Sequence, residues 1–219
     1  MKTRFGAIGL VLAGALFVAY PALRPWTDES TVDGAVAAMS SGAWVASHAF
    51  AMAGFVLVAL GLWALRTLVR QSPGGPAALG AAVTSWIGAG LVLPYYGAED
   101  FGLYAIASAY RNGAQFDLLA MVDAVRYQPL AMTMFGLGLL TLAVSGVLAA
   151  VAVWRSGRLS RLAGLPFAAG YVLFLPQFFT PAPARIAHGV VLGIGLAWLG
   201  LAMARAAHHG LPSVEVAGD

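Results

Sequence analysis

Six long apolar stretches separated by short polar ones set the pattern of this chain. They run over about residues 5–23, 42–65, 77–93, 128–154, 162–179 and 184–206. A helix rises about 1.5 Å per residue, so stretches of roughly 17–25 apolar residues suffice to cross the hydrocarbon core of a bilayer. Each stretch meets that length, and none shows the strict alternation of a half-buried strand. The pattern predicts an all-α fold: a polytopic transmembrane helical bundle of six spans forming one domain over residues 1–207. The apolar run after Met1-Lys2-Thr3-Arg4 is longer than the core of a secretory signal, so it reads as an uncleaved first span.

The interval 97–127 departs from this pattern. It carries Glu99, Asp100, Arg111, Asp117, Asp123 and Arg126, too many charges for a span. Phe101, Tyr104, Ala105 and Ser108 nevertheless recur at helical spacing, as do Leu118, Met121, Val122 and Val125. Asn112-Gly113 separates the two sets. Two short amphipathic helices at the outer interface are predicted, between spans three and four. Pro94 is expected to break span three, and Pro129 suits the first turn of span four. Residues 27–41 read as a loop, and residues 208–219 as a short mobile cytoplasmic tail.

Composition agrees with the pattern. Of 219 residues, 60% are hydrophobic and only 10% charged, against about 25% charged in soluble domains. Mean hydropathy is +0.82. Such a chain needs lipid over much of its surface. There is no cysteine, which excludes disulfides and thiolate chemistry. The net charge of +3 forms no basic stripe, so nucleic acid is not a predicted partner. The basic residues orient the chain instead. With the N-terminus inside, Lys2, Arg4, Arg66, Arg70, Arg155, Arg158, Arg161 and Arg205 are cytoplasmic, and Arg24, Arg111, Arg126 and Arg185 lie outside. Both termini are then expected in the cytoplasm, in the plasma membrane of a bacterium. Glu215 and Asp219 fall in the tail; the other acids lie outside.

Ionisable groups in a membrane are costly and mark function by default. Here they gather at the outer helix ends. Span two offers Trp44 and His48 on one helical face. Span three ends in Leu93-Pro94-Tyr95-Tyr96-Gly97-Ala98-Glu99-Asp100. If the helix resumes there, Tyr96, Asp100 and Tyr104 share a face and Glu99 points elsewhere. Adjacent carboxylates beside phenols suit an acid–base device, since desolvation and like charge favour the protonated acid; a solvated helix N-terminus is the plainer reading. Asp123, Arg126 and Tyr127 lie within one turn of each other, either as an interfacial ion pair or with Arg126 reaching inward to hold an anionic group or the carboxylates of span three. Gln177 in span five faces Arg185 and His188 at the start of span six. Gly189 and Gly193 permit a close helix contact, most simply within the molecule.

The stretches Thr27-Asp28-Glu29-Ser30-Thr31, residues 93–103, 123–129 and 174–178, and Arg185-Ile186-Ala187-His188-Gly189 resemble small polytopic membrane proteins of high-GC Gram-positive bacteria. The resemblance spans most of the chain and implies an architecture, with no reaction attached.

No phosphate loop, zinc-protease or nucleophile-elbow motif is present in the sequence. The leading expectation is a membrane-embedded acid–base enzyme, of cyclase or isomerase type, on an apolar isoprenoid or lipid substrate. Asp100 or Glu99 would be the general acid and His48 or His188 the base or relay. Trp26, Trp44, Tyr95, Tyr96, Tyr104, Arg126, Tyr127, Gln177 and Arg185 would line the substrate site, the aromatics stabilising developing positive charge. A small-molecule transporter or ligand-binding protein is the main alternative, although no mid-span acid supports coupled transport. No cofactor is predicted. A haem or divalent metal on His48 and His188 is a further alternative, as is an accessory subunit. The oligomeric state is left open.

Overall fold

The structure, a computed structural model, describes residues 2–209. The tail expected to be mobile lies, beyond residue 209, outside the described residues, together with Glu215 and Asp219. Every element among the described residues is helical. Helix α1 is Lys2–Leu23, α2 Val32–Met39, α3 Gly42–Val69, α4 Gly75–Gly97, α5 Leu103–Arg111, α6 Leu118–Arg126, α7 Pro129–Ser156, α8 Leu165–Val172 and α9 Ala182–His209. Five continuous helices among them, one being the run through α4 and α5, are long and apolar enough to cross a membrane. Their outward faces carry Leu12, Leu60, Trp63, Ile87, Leu140, Ile194 and Leu201, all exposed. A surface of this kind is stable only in lipid, and the chain has the architecture of a multi-pass membrane protein.

The long helices pack as a closed ring. Helix α1 lies between α9 and α3, α3 against α4, α4 against α7, and α8 bridges α7 to α9. Glycine makes the closest approach possible. A Cβ added to Gly193 would sit 2.8 Å from the Gly14 carbonyl, and one on Gly189 2.7 Å from the Phe17 carbonyl. The pair of glycines in α9 therefore serves contact with α1. Aromatic rings fill the middle: Phe17, Phe55, Tyr96, Phe135, Phe174 and Phe178 form a continuous chain of edge and tilted contacts.

One end of the ring carries the turns at 70–74 and 157–160, with Arg158 donating to the Leu68 carbonyl at 3.1 Å. The left-handed Gly157 (φ 64°) closes α7 there. The other end is capped by α2, α5 and α6, which enclose a second, smaller core of Ala35, Ala38, Met39, Trp44, Leu103, Ala107, Leu118 and Val122. Helix α2 stands where a loop is predicted. Thr31 caps it by accepting from the Gly34 N–H at 3.1 Å, and Asp33 lies in its first turn. Asp117 caps α6 and Gln128 caps α7 in the same manner.

Two expectations are changed by the backbone. Pro94 does not end its helix: α4 runs on through a π-turn, Ala98–Gly102, directly into α5. Proline removes one donor, and a membrane helix tolerates this through local readjustment. The first of the two short helices is thus continuous with α4, and only α6 is separate. The stretch 162–179 is also not one helix. It returns from the arginine-rich end to the capped end as a 3-10 turn, Arg161–Gly164, the eight-residue α8, and a second 3-10 turn, Pro176–Phe179. Pro166 and Pro176 each open one of these pieces, where a missing N–H costs least.

Candidate functional site

A cavity of about 570 Å³ opens below the cap, within the 300–1,000 Å³ typical of small-molecule sites. Part of the lining is charged: Arg24, Glu29, Glu99, Arg126 and Arg185. Another part is apolar, Met132, Phe135, Gly136, Leu175, Phe178 and Phe179, and the two parts meet where the Arg185 guanidinium lies 5.7 Å from the Phe178 ring centre. Tyr20, His48, Tyr95 and Tyr96 also line it.

The charged wall is a string of ion pairs. Arg24 Nη2 donates to Glu29 Oε1 at 2.6 Å, and Arg126 Nη2 donates to Glu29 Oε2 at 2.7 Å. Arg126 also grips Glu99 with both ends of its fork, Nε to Oε1 at 2.8 Å and Nη2 to Oε2 at 3.1 Å. Planar two-point pairing of this kind needs a guanidinium. Burial opposes the charge on Arg126, but Glu99 and then Glu29 more than offset it and raise its pKa. Arg24 lies between two indoles, 4.6 Å from the Trp26 ring centre and 4.8 Å from that of Trp44. Trp44 is fully buried and donates from Nε1 to the Glu99 carbonyl at 2.8 Å, tying α3 to the π-turn.

Arg185 is held differently. Its Nε donates to the Thr180 carbonyl at 3.0 Å and its Nη2 to the Phe178 carbonyl. Its guanidinium lies 5.4 Å from the Trp26 ring centre. Among the described residues no carboxylate pairs with it.

Of the two carboxylates in the π-turn, Glu99 is the one that faces the cavity. It stands four residues after Tyr95 and three after Tyr96, about one helical turn on, and lines the cavity with both. Asp100 does not: it is fully buried, and neither carboxylate oxygen has a hydrogen-bond partner. Its spacing places it on the face of Leu103 and Ala107, which are buried in the cap core. Tyr104 is partly exposed and outside the cavity.

The two histidines are also separated. His48 lines the cavity; its Nδ1 lies 2.8 Å from the Trp44 carbonyl, so Nδ1 carries the proton and Nε2 is left as an acceptor. The Tyr20 ring packs 5.8 Å from it and the Tyr96 ring 6.0 Å, with the two phenols 3.4 Å apart. His188 instead sits in a small side recess with Gln177, Phe174 and Phe17. Its Nε2 meets the Gly170 carbonyl at 2.7 Å. Among the described residues no three His, Asp or Glu side chains gather to hold a metal ion.

Of the residues predicted for the site, the cavity collects Trp26, His48, Tyr95, Tyr96, Glu99, Arg126, Tyr127 and Arg185. Trp44 supports it from behind. Tyr20, Arg24, Glu29, Phe135 and Phe178 are cavity residues that the sequence reading did not select. Tyr20 lies one turn before Arg24, at the same end of the first span as the other polar groups, and that level was the signal for it. Compared with known proteins, the chain matches no family model, no curated protein and no solved structure.

Proposed function

We propose that this chain is a ligand-binding membrane protein whose cavity takes a small amphiphile. The observation that carries this reading is the mixed lining of the cavity, arginines and glutamates together with Phe135, Phe178 and Met132. A wholly polar solute would leave the aromatic wall dry and unmatched, and a pure hydrocarbon would leave the guanidinium wall unsolvated. An amphiphile matches both. Movement of the ligand across or along the membrane, as a carrier performs it, is compatible with the same site.

The proposed setting is a bacterial cytoplasmic membrane crossed six times, the broken segment 161–179 being the fifth crossing in chain order. Arginine bias puts the end with Arg66, Arg155, Arg158 and Arg161 in the cytoplasm along with both termini. The cap, with α5 and α6, then lies at the external interface and the cavity opens to the outer leaflet.

Acid–base turnover of an apolar isoprenoid or lipid, by a cyclase or isomerase step, is the second reading. His48 favours it, because its Nε2 has no hydrogen-bond partner among the described residues and its ring packs beside Tyr20 and Tyr96. The carboxylates favour it less. Glu99 is committed to Arg126, and Asp100 lies outside the cavity.

Filling the cavity tests the binding reading. Gly136 lines it, and a Cβ added there meets nothing within 4 Å, so Gly136→Trp has room at its first carbon and brings bulk to the cavity; an unfolding temperature equal to the wild type's checks that the variant is folded. Amphiphilic lipid that co-purifies with the wild-type protein should be lost from this variant, as read by mass spectrometry of the extracted material. Equal lipid content in both proteins would overturn the reading. A His48→Gln variant that binds but does not transform the ligand would favour the second.

A further inference from the structure

The charge of the cavity wall identifies the head group. Five charged side chains line it, three arginines (Arg24, Arg126, Arg185) and two glutamates (Glu29, Glu99), which leaves one positive charge over. The ion-pair string locates that excess. Arg24, Glu29, Arg126 and Glu99 are joined end to end and sum to zero. The remaining charge is on Arg185.

Its two carbonyl partners satisfy two donors but carry no negative charge. Nη1 makes no hydrogen bond to the described residues, so donors remain for a ligand. Helix α9 begins at Ala182, also on the cavity wall, and the positive end of its backbone dipole adds to the same sign. A cation left unpaired where water is scarce is costly, and a bound anion offsets that cost.

The apolar wall gives the rest of the molecule. The walls formed by α7 and by residues 161–179 meet closely lower in the bundle, where a Cβ on Gly146 would lie 2.9 Å from the Tyr171 Cβ. They are bridged again by the rings of Phe135 and Phe178, 5.5 Å apart. Met132 and Phe179 both line the cavity and are exposed, so they give it apolar surface at its opening. An apolar tail that leaves past them runs from the arginine to the outside of the bundle.

We infer that the occupant of this cavity is an anionic amphiphile, with a carboxylate or phosphate head on Arg185 and an apolar tail leaving between Met132 and Phe179. The inference rests on the proposed binding function and narrows it to one charge class. Lipid phosphates, fatty acids and prenyl phosphates share this chemistry.

The test uses the full-length protein, delipidated in a non-ionic detergent. Its ligands are 11-(dansylamino)undecanoate and the methyl ester of that acid, followed by energy transfer from tryptophan. The acid should bind about tenfold more tightly than the ester, as a hydrogen bond to a charged group implies. Arg185→Gln should bring the two affinities together, and Arg185→Lys should keep part of the difference. Inorganic phosphate at the probe's concentration should not displace the acid, since it has no tail. Equal binding of acid and ester by the wild-type protein overturns the inference while leaving the cavity reading intact; this comparison needs no variant to fold. Discrimination retained in Arg185→Gln overturns the role of Arg185, and displacement by phosphate overturns the need for a tail. Failure of both probes to bind overturns the binding function itself.

Discussion

Arg126 joins three elements of the cap, because its guanidinium meets Glu29 from the segment before α2 and Glu99 from the π-turn while it belongs to α6 itself. Its side chain is 18% exposed, and those of Glu29 and Glu99 16% and 12%, so screening by solvent is limited. Removing one partner from such a group strands the others. Arg126→Leu should cost about 3 kcal/mol, at the lower end for a buried pair because some water remains. Thermal unfolding in detergent measures this, and a variant as stable as the wild type would show the network to be idle. Asp100 presents the reverse case. It is buried without a partner, and a charge in that position opposes folding. Asp100→Asn should raise stability at pH 8 by about 1 kcal/mol, read in the same assay. Loss of stability instead would mean that the carboxyl group has a supporting role in the cap.

At the scale of elements, the apolar runs marked the long helices to within a few residues: 42–65 against Gly42–Val69, and 184–206 against Ala182–His209. Hydrophobic length carries this information, since any long apolar run in lipid must satisfy its backbone internally. Phase is another matter. The sequence places Glu99 and Asp100 at the right depth, but each lies four residues after one of two adjacent tyrosines, so helical spacing alone does not tell which carboxylate meets Arg126. Likewise, the run 162–179 is apolar enough for a span, yet its prolines divide it into three short pieces. Helix α2 was not legible: residues 27–41 read as a loop, because the eight residues of the helix are too few for a periodic signal. The α1–α9 contact is the element most exposed to perturbation. Gly193→Leu drives a side chain into the Gly14 carbonyl, which cannot rotate away. A loss of about 3 kcal/mol is expected, the upper part of the range for overpacking, with a lowered unfolding temperature as the readout.

For the whole molecule, the ring closed by α8 brings Thr3, Arg158 and Arg205 to one end and Arg24, Arg126 and Arg185 to the other. Six crossings with both termini inside require the residues between α3 and α4 to face the cytoplasm, and those before α2 to face outward. The absence of native cysteine makes the check direct. Ser30→Cys should react with a membrane-impermeant maleimide on intact cells, and Ser72→Cys only after lysis. Labelling of both from the same side would overturn the topology.

The aromatic chain runs from the cavity lining, at Phe178, Phe135 and Tyr96, into the buried core at Phe55 and Phe17. Ions entering from the capped side meet these ring edges and tilted faces and, with them, the alanine and leucine of the core. A reconstituted bilayer holding this protein should therefore stay electrically silent under an applied voltage, with conductance no greater than that of protein-free lipid.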